Sequence, residues 1–61
     1  MKLYMKIGTH PATYVYAPRL RKLPVIGQWV TIIEEPNMQP TKVLVDAIGD
    51  IDGQPLYFAA R

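Results

Sequence analysis

Apolar and polar positions alternate with period two over the first seven residues, with Leu3, Met5 and Ile7 on one side and Lys2, Tyr4 and Lys6 on the other. One apolar and one polar face at this period predict a half-buried strand. Gly8-Thr9-His10-Pro11-Ala12 breaks the pattern with turn chemistry. Residues 13–17 resume it, setting Thr13, Val15 and Ala17 against Tyr14 and Tyr16, so the two segments read as a hairpin. Residues 18–24 are basic and bounded by prolines, which predicts a surface loop with Leu20 and Leu23 turned inward. Residues 28–33 are rich in β-branched and aromatic side chains and read as a third strand. Two prolines and an asparagine then mark a turn across residues 34–40.

Residues 41–48 fit two patterns. Thr41 is placed to cap a short helix that would stop at Gly49. Three valines and an isoleucine in the stretch lose rotamer freedom in a helix and suit an extended chain, which favours a strand. Asp52-Gly53 between apolar runs is the strongest local signal, because a two-residue type I′ turn needs positive φ at both central positions. Such a turn pairs Val45 with Ala60, Ala47 with Phe58 and Gly49 with Leu56 on one face. On the other it pairs Leu44 with Arg61, Asp46 with Ala59 and Ile48 with Tyr57. Asp50 then faces Pro55 where no N–H is required, as a proline at a strand start allows.

Five short strands without a crossover helix predict an all-β, five-stranded antiparallel meander forming one small domain over residues 1–61. The architecture resembles an SH3-like barrel or a strongly curled sheet; an OB-fold normally needs more chain and a helix. A chain of 61 residues sits near the lower limit for independent folding, since domains of about 60 residues bury only about 60% of their unfolded surface. Disulfides cannot reinforce it, because there is no cysteine, and a dedicated zinc site lacks ligands, because His10 is the single histidine. Self-association is the reinforcement left open. The absence of cysteine suits a reducing compartment, no apolar run approaches a membrane span, and no signal-peptide stretch opens the chain, so a cytoplasmic protein is expected.

The net charge of +2 is too small to name a partner, but the charge is unevenly placed. Lys2, Lys6, Arg19, Arg21 and Lys22 precede any acid. From Glu34 onward only Lys42 and Arg61 oppose Glu34, Glu35, Asp46, Asp50 and Asp52. Such polarity bears on steering and association, not on fold.

Candidate chemistry is sparse. No cysteine, no serine and one histidine leave no nucleophile beside a base, and no glycine-rich phosphate cradle is present, so no enzyme and no cofactor are expected. Asp50-Ile51-Asp52-Gly53 looks like a fragment of a calcium loop, but the remaining oxygen ligands are missing, and a plain turn explains it. His10 beside Pro11 reads as a turn residue. Trp29 fits either the core or a ligand groove.

The outward face of the first hairpin carries the functional expectation. Lys2, Tyr4, Lys6, Tyr14 and Tyr16, followed by Arg19, Arg21 and Lys22, interleave cations with aromatics. That mixture suits a protein partner, where Tyr and Arg anchor interfaces. The alternative is single-stranded nucleic acid, where phosphates take the charge and bases stack on rings. Cross-strand tyrosines that merely stabilise a hairpin are the simpler account. A second surface is expected at Leu44, Ile48 and Tyr57, too apolar for an outer sheet face and therefore assigned to self-association. The sequence thus predicts a small non-catalytic accessory or regulatory protein, of a size found on phages and plasmids, that binds another protein and does not enter a membrane.

Overall fold

Five strands follow one another in chain order around a closed barrel in the computed structural model, which describes residues 1–34 and 38–61. They are β1 (Lys2–Ile7), β2 (Thr13–Tyr16), β3 (Trp29–Ile33), β4 (Pro40–Ile51) and β5 (Gln54–Ala60), with no helix among the described residues. Sequence neighbours pair antiparallel. Because five is odd, β1 and β5 run in the same direction, and the barrel closes through a parallel seam of Met5↔Tyr57, Lys6↔Phe58 and Ile7↔Ala59. Gly8 N–H donates to the Ala59 carbonyl at 3.0 Å and carries that seam one step further. Closure removes the unpaired edges that an open sheet of this size would expose.

Alternation decides what the barrel encloses. Leu3, Met5 and Ile7 of β1, Val15 of β2, Val30 and Ile32 of β3, Val43 and Val45 of β4, and Tyr57 and Ala59 of β5 form one buried cluster. Met5, Ile32, Val43 and Val45 are fully shielded. Residues 41–48 belong to β4, so the β-branched content outweighs the Thr41 cap signal.

The Asp52-Gly53 turn has the expected form, with φ of 51° at Asp52 and 79° at Gly53. The predicted register holds from Asp50↔Pro55 through Ala47↔Phe58 and then slips at a bulge on Asp46. Beyond it Val45 meets Ala59, not Ala60, and Leu44 meets Ala60, not Arg61. An unpaired residue in one strand reverses its in–out parity and bends it. The bend lets the twelve-residue β4 serve both the β3 seam and the β5 hairpin. It also corrects the predicted faces. Val45 points into the core with Ala59, whereas Ala47 stands outside with Phe58. Leu44, Ile48 and Tyr57 do not form the shared surface predicted from sequence. Tyr57 is 2% exposed within the core, Ile48 opposite it is 41% exposed, and Leu44 lies on the outer side opposite Trp29.

The segment between β2 and β3 is tied at both ends. Leu20 N–H donates to Ala17 O at 3.2 Å, and the Leu20 side chain packs against the core. Leu23, predicted to turn inward as well, is exposed; Pro24 is buried in its place. A turn at residues 25–28 is closed by Gln28 N–H donating to Val25 O at 3.2 Å, and Gly27 supplies the positive φ of 92° that a type II turn requires. The predicted turn over residues 34–40 falls partly on residues 35–37, outside the described residues. At its ends Met38 N–H donates to Glu34 O at 2.9 Å.

Two consequences are measurable. Ile32→Val removes one methylene from a fully buried site and should cost about 1 kcal/mol, lowering the melting midpoint by roughly 4–8 °C in a calorimetric scan. Burial pushes the Tyr57 phenol above its ordinary value of 10.0. The unfolded chain therefore releases this proton at lower pH than the folded chain, so stability falls as pH rises past about 10. Urea midpoints at pH 8 and pH 11 should show a smaller alkaline loss for Tyr57→Phe than for the parent protein.

Candidate functional site

The outer face of the β1–β2 hairpin is set by the register that fills the core. With Leu3 opposite Val15 inside, Lys2 must lie opposite Tyr16 and Tyr4 opposite Tyr14 outside. Met1 and Ala17 add one more pair, the terminal amine donating to Ala17 O at 2.8 Å and Ala17 N–H to Met1 O at 2.7 Å.

Tyr14 is the best-anchored side chain on this face. Its ring centroid lies 4.9 Å from that of Tyr4, tilted by 45°, a favourable aromatic geometry. The Lys2 ammonium stands over the same ring at 5.1 Å from its centroid, a cation–π contact. The hydroxyl exchanges hydrogen bonds with the Gln54 side-chain amide, at 3.2 Å to Oε1 and 3.1 Å from Nε2. Ring and hydroxyl are thus held by three residues, from β1 and from the far hairpin. Half of Tyr14 and half of Tyr16 remain accessible. Such a side chain offers contact area at little further cost in rotamer freedom.

The structure gathers Lys2, Tyr4, Tyr14 and Tyr16 into one cluster and disperses the other predicted residues. Lys6 shares the outer side of β1, but its Nζ donates to Gly8 O at 2.8 Å. Arg19 lies across the β2–β3 seam from the tyrosine groove described next, and Arg21 and Lys22 are exposed on the following segment.

That seam shapes the surroundings. Among the described residues β2 meets β3 only at Tyr16↔Ile33, the last residue of each strand, so no further rung among them covers the surface on either side. One resulting groove, about 510 Å³, is lined by Thr13, Tyr14, Tyr16, Ile33, Glu34 and Met38. Glu34 there is engaged by Arg61 at 2.6 Å. Met38 is 60% exposed at a φ of 58°, a backbone conformation that unbranched non-glycine residues seldom adopt. Sequence reading missed Met38 and Gln54, since neither their spacing nor their type links them to the hairpin.

Trp29, left between core and groove by its sequence, is 58% exposed and lies opposite Leu44 on the outer side of the β3–β4 pair. Val25 and Ile26 on the preceding turn are also exposed. Among the described residues no three metal-ligating side chains converge, and no helix is long and apolar enough to cross a membrane.

These features define a small closed β-barrel with a tyrosine- and cation-bearing outer face. No protein-family model, curated protein or solved structure matches the chain.

A double-mutant cycle tests the anchoring of Tyr14. Tyr4→Ala, Tyr14→Ala and the combined variant, compared by urea denaturation, should give a coupling of about 0.5–1.5 kcal/mol. Additive losses would show that the two rings do not support each other.

Proposed function

We propose that this chain is a non-catalytic interaction module that binds a protein partner through Tyr4, Tyr14 and Tyr16 with Lys2, using the adjoining groove to seat an apolar side chain of that partner. The observation that carries the reading is the fixation of Tyr14 by Lys2, Tyr4 and Gln54 while half of it stays accessible beside the groove. Interface anchors have this character: large, amphipathic, already ordered, and next to a pocket that excludes water. The composition of the groove supports the same reading, because Ile33 and Met38 offer apolar contact and the one carboxylate among its described residues is already paired.

Single-stranded nucleic acid is the rival occupant, favoured by the cations near Tyr16. Against it stands the use already made of the Tyr14 ring, whose π system serves both Lys2 and Tyr4. Stacking a base there would displace one of them. The lack of cysteine supports placing the module in the cytoplasm.

Selection of a random displayed-peptide library on the immobilised protein tests the proposal. Enriched peptides should lose affinity by roughly tenfold or more on Tyr14→Ala plus Tyr16→Ala, the scale of hot-spot truncations. Failure to enrich any peptide, or undiminished binding by the double variant, would overturn it. Oligothymidylate binding whose log K falls steeply with log salt would transfer the face to nucleic acid.

A further inference from the structure

We infer that the second groove beside the Tyr16–Ile33 pair is a carboxylate-binding site, and that the partner segment laid across this face is an acidic peptide. The inference deepens the proposed function and rests on it for the identity of the partner as a protein. It stands on a different cluster of side chains.

The groove encloses about 340 Å³ on the opposite side of the seam from the tyrosines. Two cations reach it from separate elements, Arg19 from the segment after β2 and Lys42 from β4. Thr31, directly opposite Lys42 on β3, adds a hydroxyl to the lining, and Ile33, Pro40 and Pro18 supply apolar walls. Among the described residues no acidic side chain lines the groove, and neither Arg19 nor Lys42 is in an ion pair. Two unpaired cations facing one concavity repel each other, and an anion placed between them removes that repulsion and gains attraction from both. Apolar walls displace water and make each contact worth more than on open surface.

Charge placement favours a peptide over a polynucleotide. A nucleic acid carries a phosphate at every step and needs cations along its path. Here two cations, Arg19 and Lys42, line the groove and the exposed Arg21 and Lys22 do not, while Lys6 is bonded to a backbone carbonyl, Lys2 covers Tyr14, and the next groove presents Glu34. Ile33 lines both grooves. An extended peptide therefore satisfies both sides with a carboxylate at Arg19 and Lys42 and an apolar side chain at Tyr14, Tyr16 and Met38.

The test uses the full chain and amide NMR spectra at low ionic strength, titrated with hexaglutamate, hexalysine and hexathymidylate. Hexaglutamate should shift the Arg19, Thr31 and Lys42 amides saturably, and hexalysine should not. Arg19→Ala plus Lys42→Ala should weaken hexaglutamate binding about thirtyfold, as two exposed ion pairs of the upper usual strength imply. Both residues are exposed, so the variant keeps the parent's spectral dispersion. Absent shifts, shifts confined elsewhere, or affinity unchanged in the double variant would each overturn the inference. Tighter binding of hexathymidylate at the same amides would also overturn it, by assigning the groove to phosphates. Hexaglutamate carries no apolar side chain, so its binding should survive Tyr14→Ala plus Tyr16→Ala. The carboxylate site and the tyrosine face can therefore fail separately.

Discussion

An up-and-down sheet of five strands can close only if its first and last strands run the same way. The β1–β5 seam is therefore the constraint on which the rest of this molecule depends. It joins residues more than fifty positions apart, so its loop-closure entropy is recovered only when the whole barrel assembles. Once closed, the sheet has one interior, and the in–out alternation of every strand is committed. The bulge at Asp46 is the local adjustment that reconciles this closure with the hairpin register set by Asp52-Gly53.

The candidate face inherits its geometry from that closure. Tyr14 on β2 is held by Gln54 at the start of β5, and β1 lies between them in the barrel. An isolated β1–β2 hairpin would keep the Tyr4–Tyr14 contact and lose the bond to Gln54. Rigidity at the surface is thus a property of the whole ring, and the exposed rings are ordered before any partner arrives. The weakest seam lies beside them. Among the described residues a single pair, at the last residue of each strand, joins β2 to β3 and leaves an opening on either side. The two grooves occupy those openings, one aromatic and apolar, the other cationic.

Much of the hairpin face was legible because local rules determine it. Period-two alternation from Lys2 to Ile7 and the turn at Gly8 suffice to put Lys2, Tyr4, Tyr14 and Tyr16 on one side. The same reasoning missed Met38 and Gln54, whose proximity to the tyrosines arises from chain segments distant in sequence. It also misplaced Leu23, because nothing local distinguishes it from Leu20. Only the packing of the 18–28 segment against the closed barrel selects Leu20 and Pro24 for burial.

Leu44, Ile48 and Tyr57 show where the boundary falls. The turn at Asp52-Gly53 is decided by two residues that tolerate positive φ, so sequence alone specified the hairpin and its pairing as far as Ala47 and Phe58. Past that point the pairing depends on whether one residue is left unpaired, a choice made by barrel curvature and by the need to bury Val43, Val45 and Ala59 together. Sequence by itself determined strands, turns and the alternating sides of each strand, because those follow from nearest-neighbour sterics and hydrophobic period. Tertiary structure decided which side became interior after the bulge, and which distant cations came to share a groove, because both depend on contacts that exist only when the ring is closed.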